Sequence, residues 1–166
     1  MEKGITPEEQ LVTLLRERKY TVTTAESCTG GLIAAEIINV PGASWVVNQA
    51  VVTYSNEAKH RLLGVPEEIL RDRGAVSRET AKAMAEGAAA FAGAEMSLIS
   101  TGIAGPDGGT PEKPVGLVYL ACCLNGKTKV IRKNFAGSRA AIRRKSVRAA
   151  LHLALSCLEQ DGKTQI

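Results

Sequence analysis

The residues best suited to chemistry begin with Ser27, in the run Ala25-Glu-Ser-Cys-Thr-Gly-Gly31. It falls where a β-branched strand pattern gives way to a helical one, so the backbone N–H groups of a helix N-terminus converge near it. Such donors suit an oxyanion or a phosphate. Ser27 is therefore a candidate nucleophile, with Cys28, Thr29, Gly30 and Gly31 as the groups around its ligand. The competing reading makes Ser27 a helix cap and the glycines an aid to tight packing. Cys28 is an alternative nucleophile, although no metal motif or adjacent histidine activates it.

A serine nucleophile needs a base. The chain has two histidines, His60 and His152, and His152 sits in an apolar helical pattern, so no Ser-His-Asp triad stands out. A different partner lies in Tyr54-Ser-Asn-Glu-Ala-Lys59, where a strand end and the first helical turn bring a phenol and an amine to the sheet edge that carries Ser27. Lysine serves as a base only if its pKa falls from about 10.4 toward 7, at a cost of roughly 4 to 5 kcal/mol, so the site has to be largely closed to water. Otherwise Lys59 is a solvated helix lysine and Tyr54 a core aromatic.

Two further features suit a phosphorylated ligand. Gly102 to Gly116 holds five glycines and three prolines in fifteen residues, a loop with an unusual backbone path that fits neither the Walker A pattern nor the dinucleotide fingerprint. Arg139 and Arg143, four apart near a helix start, form a fork for phosphate or else part of a solvated basic face.

These groups need elements to hold them. Thr6-Pro-Glu-Glu9 signals a helix to about Lys19. Thr21 to Glu26 reads as a strand, Thr29 to Val40 as a helix stopped by Pro41-Gly42, and Asn48 to Tyr54 as a second strand. A short helix through Leu63, another after Pro66 and an alanine-rich one from Arg78 to Ala92 lead to a buried strand, Met96 to Thr101. Asn125-Gly126 joins two antiparallel strands, Val115 to Leu124 and Lys127 to Phe135. A last helix runs from Ser138 to about Glu159. This order predicts an α/β fold, a three-layer α/β/α sandwich around a five-stranded mixed sheet.

With 166 residues, 45% of them hydrophobic, one domain spanning 1–166 is expected. No segment has the length and apolarity of a membrane span and the first residues do not resemble a signal peptide, so a cytoplasmic location without membrane association is expected. The four cysteines show no C-x-x-C spacing and offer no metal or redox pair. The net charge of +4 concentrates between Lys127 and Arg148, but aromatics make up 4% and do not interleave with it, so nucleic acid is not an expected partner. The alanine-rich and last helices make a homodimer the expected assembly.

Together these runs resemble the CinA C-terminal-domain family, whose bacterial members include nicotinamide-nucleotide amidases. The resemblance rests on Thr24 to Leu32, Val52 to Lys59, Gly74 to Ser77, Thr101 to Gly116 and Phe135-x-Gly-x-Arg139-x-x-x-Arg143, nearly the whole chain in order. It implies hydrolysis of nicotinamide mononucleotide to nicotinic acid mononucleotide and ammonia, with no metal or organic cofactor. It also implies Ser27 as nucleophile, Tyr54 and Lys59 as its partners, and a nucleotide pocket formed with Asn56, Thr101, Gly102, Ala104, Gly105, Gly108, Gly109, Arg139 and Arg143. Two departures stand out. Ser138 occupies a position that is acidic in many members, and 166 residues are not expected to include the N-terminal nucleotide-binding domain of longer members. A catalytically silent nucleotide-binding module, linked to competence or the response to DNA damage, is the alternative function.

Overall fold

The computed structural model describes residues 4–164. The first helix, α1 (Pro7–Arg18), starts as its sequence implies: the Glu9 amide donates to the Thr6 hydroxyl, and the Thr6 N–H donates to the Glu9 carboxylate at 2.8 Å. This reciprocal capping satisfies two amides that the helix cannot. The chain continues through β1 (Val22–Glu26), α2 (Leu32–Ile38), a 3₁₀ turn at Ala43–Trp45, β2 (Val47–Val52), α3 (Asn56–Leu63), α4 (Glu67–Arg73) and α5 (Arg78–Ala92). It ends with β3 (Met96–Gly102), β4 (Leu117–Leu124), β5 (Lys127–Asn134) and α6 (Arg139–Thr164).

The strands form one mixed sheet in the order β2-β1-β3-β4-β5. β1 runs parallel to both β2 and β3, while β3, β4 and β5 are antiparallel neighbours. Asn125 and Gly126 both take positive φ in the turn between β4 and β5, as a two-residue hairpin matched to strand twist requires. Strand alternation then divides the core. Leu98 and Leu120 pack with α1, α2 and α6, whereas Ile99 and Ala121 face α3, α4 and α5. The three-layer sandwich and mixed sheet are as the sequence predicts.

Close packing places the helix that carries Lys59. A Cβ on Gly87 of α5 would stand 1.9 Å from the Leu63 carbonyl oxygen, so the absent side chain is what lets α3 end against α5. Two boundaries differ from expectation by three residues or more. α2 begins at Leu32 rather than Thr29, because Gly30 and Gly31 have φ of 62° and 98° and keep the chain out of helical geometry. α6 continues past Glu159 to Thr164, held by Arg18, which donates to the Leu158 carbonyl at 2.8 Å and pairs with Asp161 at 3.6 Å.

The crossover from β1 to β2 lies on one face of the sheet and that from β2 to β3 on the other. The carboxyl ends of all three parallel strands therefore open at a topological switch point, where open α/β sheets bind ligands. Among the described residues, no helix is long and apolar enough to cross a membrane.

Candidate active site

Ser27 directly follows β1, and pairing with both neighbouring strands persists to its position. The Ser27 N–H donates to the Ser100 carbonyl at 3.0 Å and the Thr53 N–H to the Glu26 carbonyl at 2.9 Å. The seryl side chain is thus delivered from a fixed backbone at the end of the central parallel strand. Lys59 meets it there, with Nζ 3.1 Å from Ser27 Oγ. Ser55 starts α3 by accepting the Ala58 N–H at 3.0 Å, which sets Lys59 one turn in and close to the end of β2.

The amine also donates to the carbonyls of Thr53, at 2.8 Å, and Tyr54, at 3.4 Å. Carbonyl oxygens only accept, so two amine protons are committed to them. What remains on the nitrogen faces Ser27: a third proton when the amine is charged, a lone pair when it is neutral. Lys59 is 1% exposed. Burial lowers its pKa to about 8, since desolvation penalises the ammonium form. Burial acts oppositely on Cys28, raising its thiol to about 11. A thiol held protonated is a poor nucleophile, which removes the chemical case for Cys28.

The turn after Ser27 is organised by a residue that sequence reasoning did not single out. Glu26 is fully buried, and its carboxylate accepts the Thr29 hydroxyl and the amides of Gly31, Ile33 and Ala34, the latter three at 3.1, 3.0 and 2.9 Å. Ser100 Oγ lies 2.6 Å from Thr29 Oγ1 and extends this network beneath the turn. The expected convergence of helix-end amides on a ligand is accordingly corrected. The chain's own carboxylate occupies the start of α2, and the Gly30 N–H donates to the Ser27 carbonyl at 3.1 Å. The Cys28 and Thr29 amides donate neither to a backbone carbonyl nor to Glu26. The one sequence signal for Glu26 is that α2 has no capping side chain at Gly31, which leaves its amides in need of an acceptor.

A cavity of about 240 Å³ opens over Ser27. Its lining includes Ser27, Cys28, Tyr54, Lys59, Thr101, Gly102, Ala104 and Arg139 from the expected set, joined by Ala75 and Val76 between α4 and α5. The Thr101 hydroxyl donates to the Ala75 carbonyl at 2.7 Å and fixes that segment against β3. Arg139 spans the mouth, donating to the Gly105 carbonyl at 2.8 Å and the Tyr54 hydroxyl at 3.1 Å. Tyr54 is 62% exposed. It is a rim residue rather than a core aromatic, and its hydroxyl is engaged by Arg139.

Thr29, Gly30, Gly31, Asn56, Gly105, Gly108, Gly109 and Arg143 do not line this cavity. Gly105 contributes through its carbonyl, and Thr29 and Gly31 through the Glu26 network. Arg143 parts from Arg139: its guanidinium donates to the carbonyls of Cys28 at 3.1 Å and Thr29 at 3.0 Å, and so braces the turn from behind. Neither histidine lines the cavity. His60 Nδ1 is 2.8 Å from the Val65 carbonyl, and His152 lies in a separate groove with Arg144 and Arg148. Among the described residues, no group of three or more His, Cys, Asp or Glu side chains is placed to hold a metal ion.

The same arrangement of chain occurs in known proteins. Residues 5–158 match the CinA C-terminal domain. A CinA-like protein from Kosmotoga olearia is 54% identical over 144 residues, covering 87% of this chain and 35% of that protein, so the chain spans well under half of that relative's length. Among solved structures, the competence/damage inducible protein CihA from Agrobacterium tumefaciens is 43% identical with a TM-score of 0.87, over 96% of this chain and 99% of that one. A CinA superfamily protein from Klebsiella pneumoniae has a TM-score of 0.89 at 33% identity, over 93% of this chain and 96% of that one. From the capped first helix to the end of the core on α6, the chain belongs to the CinA C-terminal domain family.

Proposed function

We propose that this domain is a serine amidohydrolase that converts nicotinamide mononucleotide to nicotinic acid mononucleotide and ammonia. The observation that carries this reading is the 3.1 Å contact between Ser27 Oγ and a buried amine whose other protons are held by two carbonyls. With Lys59 neutral, its lone pair accepts the seryl proton as Oγ attacks the carboxamide carbon. The oxyanion that forms is served by the Cys28 and Thr29 amides. The Lys59 ammonium then returns the proton to the departing nitrogen, which leaves as ammonia. Water, deprotonated by the same amine, hydrolyses the seryl ester and releases the carboxylate product. Tyr54 is not needed to relay the proton, because the amine reaches Ser27 directly.

The cavity supports a particular placement of substrate. At about 240 Å³ it is smaller than the roughly 300–1,000 Å³ usual for a whole ligand, so it suits the carboxamide-bearing ring. Ribose and phosphate then extend to the mouth, where Arg139 supplies a fixed positive charge. The test is to mix purified protein with nicotinamide mononucleotide and assay ammonia and nicotinic acid mononucleotide. Release that disappears in Ser27→Ala is the expected result. Tight binding without release would overturn the reading in favour of a silent nucleotide-binding module.

A further inference from the structure

We infer that Cys157 and Cys122 form a peroxide-reactive thiol pair: a hydroperoxide entering the cleft between β5 and α6 oxidises Cys157, and Cys122 closes the oxidised sulfur into a disulfide that ties α6 to β4. All four cysteines are free, and the amide chemistry at Ser27 uses none of their thiols. Alternation along β4 sends Cys122 to the α6 side of the sheet and Cys123 to the α5 side. Cys157 of α6 lies in the same buried cluster as Cys122, and the two thiols are hydrogen-bonded to each other.

The pair is unequal in access and in surroundings. Cys122 is 0% exposed, whereas Cys157 is 8% exposed and helps to line a cleft of about 370 Å³ with Lys127, Lys129 and Asp161. Cross-strand pairing sets Lys129 opposite Cys122, and its amine donates to the Ser156 hydroxyl at 3.3 Å, next to Cys157. Asp161, the acidic group of the cleft, is paired with Arg18 at 3.6 Å and accepts the Tyr20 hydroxyl at 3.2 Å, so its charge is already offset. The Cys122 S–H donates to the Cys157 sulfur and Lys129 adds positive charge. Together they hold the Cys157 thiol below its usual pKa against the opposing effect of burial, while the same hydrogen bond and burial push Cys122 well up.

That asymmetry assigns the roles. The Cys157 thiolate attacks the terminal oxygen of the peroxide, the O–O bond breaks, and the other oxygen leaves as an alkoxide or hydroxide that water protonates beside the Lys129 ammonium. The sulfur loses two electrons and becomes a sulfenic acid, and the peroxide is reduced by them. The Cys122 sulfur then attacks the sulfenic sulfur, the S–O bond breaks, and the hydroxide departs with the Cys122 proton as water. Thiols already in hydrogen-bond contact are placed to close to the roughly 2 Å of the resulting bond. No residue lining this cleft lines the cavity over Ser27, so the reaction is separable from the amidase chemistry.

The test treats the folded whole chain with a few equivalents of hydrogen peroxide at neutral pH, blocks the remaining thiols, and maps peptides without reduction. The expected product is an intramolecular link between the peptides carrying Cys122 and Cys157, retained in Cys123→Ala and reversed by dithiothreitol. In Cys122→Ala, which lacks the resolving thiol, dimedone should instead trap a sulfenic acid on Cys157. Lys129→Met should slow that labelling several-fold. A link made through Cys123 or between two chains would overturn the inference, as would dimedone capture at Cys122 in Cys157→Ala at the rate seen for Cys157. A folded wild-type chain whose Cys157 stays reduced, while the urea-unfolded chain is oxidised, would overturn it by showing that burial shuts the thiol off. None of these readouts depends on the chain's activity.

Discussion

Ser27 and Lys59 stand on one wall of the cavity, Tyr54 and Arg139 on the other, and the two are held by different means. On the first wall the contacts are to backbone and buried side chains: strand pairing fixes Ser27, two carbonyls fix the Lys59 amine, and Glu26 and Ser100 fix the turn beneath. On the second, one long guanidinium on a helix reaches a loop carbonyl and a phenol in contact with solvent. The difference teaches where precision is needed. Bond making tolerates little displacement, whereas holding a phosphate at a cavity mouth tolerates water and movement.

The largest expected effects come from breaking the dry wall. Ser27→Ala should reduce amidase turnover to background, and Lys59→Ala should lower kcat by roughly 10²–10⁴-fold, as loss of a general base does. Stopped assays of ammonia release check both. The same wall sets the pH profile. With the amine at about 8, kcat/KM should fall about tenfold per pH unit below that value and level off above it. A flat profile between pH 6 and 8 would show that a different group takes the seryl proton.

Effects on the wet wall should be smaller and of another kind. Arg139→Ala should raise KM for nicotinamide mononucleotide by roughly 10- to 100-fold, the worth of a charge-assisted contact, and change little for the unphosphorylated riboside. Equal losses on both substrates would place the phosphate elsewhere. Arg143→Ala sharpens the contrast, because this arginine supports the dry wall from behind although it is only one helical turn away. It should lower kcat several-fold on both substrates alike, because it supports the carbonyls of Cys28 and Thr29 and not the ligand.

That pair of arginines also shows what the sequence could and could not reveal. Spacing of four put them on one helical face, which is correct, but where each guanidinium ends depends on partners 34 and 85 residues earlier for Arg139 and 115 and 114 for Arg143, beyond any local pattern. Ser27 and Lys59 were legible because each lies at a strand end or first helical turn marked by local caps, and the parallel topology then brings those ends together. Glu26 was not, since its partners are amides reached only once Gly30 and Gly31 turn the chain back. The layers of the fold were readable throughout, because helix caps, strand alternation and Asn125-Gly126 are local signals.

Burying Lys59 affects more than its reactivity. In the unfolded chain its pKa returns to its ordinary 10.5, so between pH 8 and 10.5 the unfolded state holds a proton that the folded domain has released. Stability contributed by this residue therefore grows as pH rises across that window and is lost as pH falls through 8. Melting temperatures of the wild type and Lys59→Met, measured side by side, should diverge in favour of the wild type on moving from pH 8 toward 10. The amine thus makes the domain an alkaline-leaning fold, one that gives up resistance to unfolding at neutral pH in exchange for an amine that becomes a free base from about pH 8 upward.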